Sequence, residues 1–346
     1  MKKWLLLVLM TLLAVLLVAC GDDTTEPVEN TDNEETGNNN SGGEEEKKKY
    51  AFKLGHEAAE SHVKFAVAEK FAQELKKNSD GRMTVDIYPA NQLGKEADMR
   101  QQIETGTLDF AILSNGTMSG ASETMNGWFM PFLFNNLEEA GNAASSKSAK
   151  QMMQDLDKIN MVGYGVFFAG QRHILANKAI NSVDDLGGLK IRIPGAPAFE
   201  AYYKALSASP ASMPLPEVYT ALSTNVIDAV DTDLDAAVSQ KFYEAVDTLT
   251  LTGHIVFPEV AIGSKKVIDG LSAEDKKIVE DTWASVIAWG VKESIAKNEA
   301  LLKQLKDKGV TVNELSNLDE FKKLSKAVYD QYSSNATIKA FIEENQ

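Results

Sequence analysis

Two features of this sequence have residue types and placements that could do chemistry: a lone thiol, and an arginine at the end of an apolar segment. Cys20 is the only cysteine, so neither an internal disulfide nor a zinc site built on cysteine pairs is open to the chain. It lies in the run Leu17-Val18-Ala19-Cys20-Gly21, whose small residues and thiol are what a lipoprotein signal peptidase and its lipid transferase require. Arg192 sits in Lys190-Ile191-Arg192-Ile193-Pro194-Gly195, where the Pro-Gly pair points to a strand terminus opening onto a loop. A planar guanidinium there could grip a carboxylate through two parallel N–H donors, more strongly in a partly desolvated cleft. It could also be a surface arginine at a strand end. Catalytic chemistry finds no counterpart: there is no nucleophile elbow, phosphate loop or metal-ligand histidine pair, and His56 and His62 are six apart, the wrong interval for one helical face. No catalytic residue, cofactor or metal is expected.

The elements that must position these groups begin after a long leader. Lys2 and Lys3 precede the apolar run from Trp4 to Val18, about the length of a signal-peptide core and shorter than the roughly 20 residues of a spanning helix. Residues 1–19 are therefore expected to be a lipoprotein signal peptide, with an uncleaved anchor as the alternative. Lipidation at Cys20 would tether the chain to the outer face of the cell membrane. Gly21 to Lys49 carries ten acidic and three basic residues and contributes −7 of the formal net charge of −15. Such a stretch buries too little to offset ordering entropy, so residues 20–49 read as a disordered acidic tether. The acidic balance makes nucleic acid an unsuitable partner.

The remaining 297 residues, from Tyr50 to Gln346, suffice for two lobes with separate cores. Tyr50 to Gly55 alternates as a strand, and Ser61 offers an N-cap for a helix whose Val63, Val67, Phe71 and Leu75 form an apolar stripe, with Lys64, Lys70, Lys76 and Lys77 mostly elsewhere. Met83 to Tyr88 is a strand stopped by Pro89. Lys95 to Thr105 is a helix ending at Gly106, and Phe110 to Leu113 a buried strand. Further strands are expected at Met161–Phe168, Leu189–Ile193 and Val226–Val230, a helix over Pro216–Ser223, and a long helix from Ser272 to about Leu305. Strands alternating with helices predict an α/β fold with largely parallel sheets and sites at the carboxyl ends of strands. No second segment is apolar enough to span a bilayer, so the chain transports nothing alone.

Several segments, in order, resemble the DctP-type substrate-binding proteins, the extracytoplasmic components of TRAP (tripartite ATP-independent periplasmic) transporters. They are Tyr88-Pro89-Ala90-Asn91-Gln92-Leu93-Gly94, Leu108-Asp109-Phe110-Ala111, Lys190 to Gly195, Pro210, Met213-Pro214, Glu217-Val218-Tyr219-Thr220-Ala221-Leu222 and Val226-Ile227-Asp228-Ala229. The resemblance runs from about Phe52 to beyond Lys265. It implies a two-lobed periplasmic-binding-protein-like fold with mixed sheets, hinge strands and a long connecting helix. Lobe I would take residues 50–169 plus 258–297, and lobe II residues 170–257 plus 298–346. It also implies closure over a small organic acid and ion-driven uptake through a cognate pair of membrane permease subunits. A sensor presenting its closed form to a receptor would use the same fold.

Residue by residue, the resemblance makes Arg192 the partner of the ligand carboxylate. Arg172 matches a second arginine, with a ligand role or a packing role between lobes both open. Gly195 follows on the same loop. Glu57, Ser114 and Asn115 fall at contact positions in relatives, although Glu57 could instead be a helix N-terminal charge. After Asp228 relatives often show a glycine, then a glutamate and an asparagine, where this chain reads Ala229-Val230-Asp231-Thr232-Asp233. Thr232 and Asp231 are thus candidates of uncertain detail, with Asp233 beside them. His254 matches a position used for ligand or hinge hydrogen bonds, while Trp128 and Phe129 read as core. Glu57 would accept from hydroxyls and disfavour a second ligand carboxylate. A uronate, aldonate or similar sugar acid is the expected ligand, and a C4-dicarboxylate the alternative if Arg172 binds a second carboxylate.

Overall fold

The computed structural model describes residues 47–315 and 317–346. The expected signal peptide, the lipidation expected at Cys20 and nearly all of the expected tether fall outside the described residues. Eleven strands run in chain order: β1 (Tyr50–Gly55), β2 (Met83–Tyr88), β3 (Phe110–Ser114), β4 (Met161–Gln171), β5 (His173–Ala176), β6 (Lys190–Ile193), β7 (Ser209–Ser212), β8 (Ala229–Thr232), β9 (Thr248–Leu251), β10 (Val256–Ser264) and β11 (Thr311–Glu314). They form two sheets, ordered β2-β1-β3-β10-β4 and β11-β9-β5-β8-β6-β7. Five pairings are parallel and four antiparallel, so the sheets are mixed.

The chain crosses between sheets where β4 passes into β5 and where β9 passes into β10. These crossings bond to one another: Arg172 N donates to Ile255 O at 2.7 Å, and Gly253 N to His173 Nδ1 at 3.1 Å. A third connection is the helix Ala273–Asp307, capped by Ser272, whose hydroxyl accepts from Asp275 N. Its first half packs Val279, Trp283 and Val286 against the first sheet, with Trp283 stacked on Phe71 at 3.7 Å between centroids. Its last turns bring Leu301, Leu302 and Leu305 to the core of the second sheet. One helix therefore serves two cores and limits how the halves can pivot.

Helix α1 (Val63–Asn78) buries Val63, Val67, Phe71 and Leu75 as its stripe requires. Two details differ from the sequence reading. The N-cap is His62, whose Nδ1 accepts from Lys64 N at 3.1 Å, because Ser61 lies one residue too early. Lys64, read as polar-facing, is 1% exposed; with Ala68, Phe71 and Leu75 it follows the i, i+4, i+7, i+11 spacing of the buried face. Helix α2 (Glu96–Thr105) ends at Gly106, whose φ of 79° is the left-handed geometry that glycine accepts at a helix C-terminus. The strand expected at Val226–Val230 begins only at Ala229. Asn225, at φ 55°, turns the chain after the helix Val218–Ser223 and leaves Val226 on the surface. The helix expected at Pro216 starts as a single 3₁₀ turn, Leu215–Glu217.

Candidate ligand-binding site

A cavity of about 240 Å³ lies between the two sheets. From the first sheet's side come Glu57 after β1, Glu96 opening α2, Ser114 ending β3, Thr117 in helix α3 (Asn115–Ala121) and Glu259 in β10. From the other side come Arg192 in β6, Pro194 and Gly195 beyond it, Met213 after β7, and Asp233 after β8. Arg172 and Phe257, at the crossings, form the back. Glu57, Ser114, Arg192 and Asp233 lie at or just past the carboxyl ends of their strands, where open α/β sheets build sites.

The wall around Arg192 is cationic. Its Nε and Nη2 donate to Met213 O at 3.1 and 2.9 Å, which uses one edge of the guanidinium. Among the described residues no carboxylate lies within 4 Å of it, although it is only 4% exposed. Burial, reinforced by the nearby Arg172 charge, lowers its pKa to about 10. An almost buried charge without a counterion is costly unless a partner arrives.

Arg172 is heavily engaged within the chain, through three of its five N–H donors. Its Nε meets Asp231 Oδ1 at 2.5 Å, Nη1 meets Asp233 Oδ2 at 2.8 Å, Nη2 donates to Asp231 O, and the guanidinium lies 4.5 Å from the Phe257 ring centroid. Burial opposes its charge, but the two aspartates outweigh that and raise its pKa. Asp231 is held down to about 2: burial works against the anion, while Arg172 and His254 prevail. Asp231 also accepts from Tyr203 Oη at 2.7 Å and faces His254 Nε2 at 2.7 Å.

The opposite wall carries an arrangement absent from the sequence reading. Lys64 Nζ lies 2.9 Å from Glu259 Oε2, 3.2 Å from Glu96 Oε1 and 3.9 Å from Glu57 Oε1. The Glu259 contact is off the hydrogen-bond axis, leaving that oxygen without an aligned donor. Glu96 is the best satisfied, accepting also from Ser114 N at 2.7 Å, Ser114 Oγ at 2.5 Å and Thr117 Oγ1 at 2.6 Å. Burial opposes ionisation of Glu96, yet Lys64 and these donors hold its pKa below the ordinary range. Glu57 is pushed up to about 7 by burial and by Glu96, with Lys64 and Arg192 pulling the other way. Burial takes Glu259 to about 8. Lys64 stays firmly protonated: burial disfavours its charge, but Glu259, Glu96 and Glu57 together overcome it.

Of the sequence candidates, Arg192, Arg172, Glu57, Ser114 and Gly195 line the cavity, as does Asp233. Asn115 lies behind it, donating Nδ2 to Met125 O. Thr232 donates to Asp233 O, and Asp231 and His254 sit behind Arg172 in a network with Thr252 and Tyr203. None of these four lines the cavity. Trp128 and Phe129 are core. Lys64, Glu96 and Glu259 went unread. For Lys64 the signal was its spacing with the buried stripe; Glu259 gave none, lying in the otherwise apolar run Val256–Ile262.

A family model described as "DctP: Bacterial extracellular solute-binding protein, family 7" matches residues 54–335. The chain belongs to the DctP family. It is 28% identical over 284 residues to the sialic acid-binding periplasmic protein SiaP of Vibrio cholerae, covering 82% of this chain and 88% of that one. Among solved structures it resembles the sugar acid binding protein DctPAm of Advenella mimigardefordensis in complex with galactonate, with TM-score 0.82, 26% identity, and coverage of 86% and 97%. It also resembles a TRAP periplasmic solute binding protein of Bradyrhizobium sp. BTAi1 in complex with galacturonate, with TM-score 0.82, 26% identity, and coverage of 85% and 99%. The DctP fold is two-lobed, and the cavity lies where its two sheets face each other.

Proposed function

We propose that this DctP-family chain captures a small hydroxylated monocarboxylate, a sugar acid such as a uronate or aldonate, and presents it to TRAP membrane permease subunits without chemically altering it. The observation that carries this reading is Arg192: a nearly buried guanidinium with one edge on Met213 O and no carboxylate within 4 Å among the described residues. A ligand carboxylate supplies the missing charge in bidentate geometry. The opposite wall suits hydroxyls, since its carboxyl groups can exchange hydrogen bonds with them, and Glu96, held ionised by Lys64, Ser114 and Thr117, disfavours a second carboxylate. Arg172, already committed to Asp231 and Asp233, has little left for a second carboxylate, which argues against a dicarboxylate. The galactonate and galacturonate complexes of the two similar proteins support the same class.

In this reading Arg192, Glu57, Ser114 and Gly195 touch ligand, while Asn115, Asp231, Thr232 and His254 hold the wall from behind. The lobes divide at 50–169 plus 258–297 and 170–257 plus 298–346, except that the last helix, Ala336–Asn345, packs back on Glu123–Phe129 and Lys147–Asp155 of the first. Closure expels water and strengthens the ion pair. The mature chain is anchored outside the cell membrane by lipid on Cys20. Calorimetric titration with D-galacturonate, D-galactonate and succinate tests the ligand class. Sugar-acid binding that Arg192→Ala removes is the expected result. Tighter binding of succinate would overturn the class, and undiminished affinity in Arg192→Ala would overturn the carboxylate assignment.

A further inference from the structure

On the first sheet's side of the cavity, three carboxylates crowd round one buried ammonium before any ligand arrives. Glu57, Glu96 and Glu259 converge on the single ammonium of Lys64. The other charged groups lining the cavity are Arg192, Lys95, and the Arg172–Asp233 pair at the back. Lys95 pairs outward with Glu217 at 2.6 Å, and Arg172 is consumed by two aspartates. His62 on α1 also lines the cavity, and His56 beside Glu57 is kept neutral by burial and by Lys64, its pKa lowered to about 3. Arg192 thus has no carboxylate within 4 Å among the described residues, and Glu57 is the carboxyl that interacts with its charge most, ahead of Asp231 and Asp233.

On the reading that Arg192 takes the ligand carboxylate, we propose that the site captures a proton together with the acid, held on Glu57 within the Glu57–Glu96–Glu259 cluster. An arriving carboxylate cancels the Arg192 field that favours ionised Glu57 and adds a negative group to a drying cavity in which Glu96 stays ionised. The cheapest compensation is protonation. The ligand enters ionised, Glu57 gains H⁺ from a solvent or buffer acid whose bond to that proton breaks, and no electrons change hands. The protonated carboxyl can then donate to a ligand hydroxyl, which an ionised one cannot. The raised pKa values of Glu57, to about 7, and of Glu259, to about 8, put the cluster within reach of protonation near neutrality. Glu96, held by Lys64, Ser114 and Thr117, stays ionised.

Two measurements test this. Carbon-detected NMR titration of glutamate side chains in the unliganded protein, with Glu57→Gln identifying the resonance, needs no ligand. Arg192→Met mimics neutralisation and should raise the Glu57 midpoint by ~0.5 unit or more; an unchanged or lowered midpoint overturns the proposal. Calorimetry with D-galacturonate in buffers of different ionisation enthalpy should show uptake of a fraction of a proton at pH 7 that disappears towards pH 5. Glu57→Gln should flatten that dependence while Asp228→Asn, far from the cavity, should keep it. Binding with no uptake, with release, or with full uptake in Glu57→Gln overturns the proposal. Binding that survives Arg192→Met fails the carboxylate assignment instead, and where D-galacturonate gives no heat, the NMR midpoint alone decides.

Discussion

Arg172 and Arg192 sit twenty residues apart, both nearly buried and both lining one cavity, yet their surroundings are opposite. Arg172 meets two carboxylates, a carbonyl and an aromatic face. Arg192 meets one carbonyl. Burial penalises both charges, but two aspartates raise the pKa of the first while the second falls to about 10. The difference separates a cation whose charge the chain itself neutralises from one that, among the described residues, has no carboxylate within 4 Å. Residue type and burial alone would have treated them alike.

The sharpest way to break the comparison is Arg172→Met. It strands Asp231 and Asp233 in a buried site and should cost about 3–5 kcal/mol of stability, read by denaturant unfolding. Arg192→Ala should leave the unfolding midpoint nearly unchanged while affinity for the captured acid falls by about 2–5 kcal/mol in calorimetry. Arg192→Lys should recover only part, since a point charge lacks the fork. If both arginine variants lose stability equally, the contrast between them fails.

A smaller effect probes the opposite wall. The folded pKa of Glu259 is raised to about 8, so between the ordinary glutamate range, about 4.3, and pH 8 the folded state binds more protons than the unfolded state. Its contribution to stability therefore declines as pH rises through that window. Glu259→Gln should gain in melting temperature relative to the parent from pH 5 to pH 8; a constant difference would contradict the buried cluster. Asp231 behaves in the reverse sense: its folded value is held at about 2, so its contribution is present above about pH 4 and is lost as pH falls towards 2. The least effect belongs to Lys95→Ala. It removes an exposed pair with Glu217, and its small influence on affinity should vanish at high salt.

Much of the fold was legible because it rests on periodicity. The α1 stripe, the β1 alternation, the Gly106 stop and the long helix from Ser272 each follow from local rules that tertiary contacts did not override. What escaped was non-local. Val226 reads as strand by composition, but the left-handed turn at Asn225 moves the strand to Ala229. Arg192 was legible from its place before Pro194-Gly195 and from family resemblance. The Lys64 cluster was not, because its three carboxylates come from a loop, a helix start and a strand far apart in sequence. A lysine on a helix is polar by default, and only its alignment with Ala68 and Phe71 hinted otherwise. Asp231 and Asp233 were left undecided, and no spacing could say that Arg172 would claim both.

The Val63 amide, at the start of α1, donates to Asp235 Oδ2 at 2.8 Å, a carboxylate in the helix Leu234–Ser239 that follows β8 of the other sheet. An N–H in the first turn of a helix has no partner within its own helix, so its shielding depends on that distant aspartate staying in place. Deuterium replacing hydrogen at this one backbone position should therefore keep time with the separation of Val63 from Asp235, a gauge that needs no attached probe.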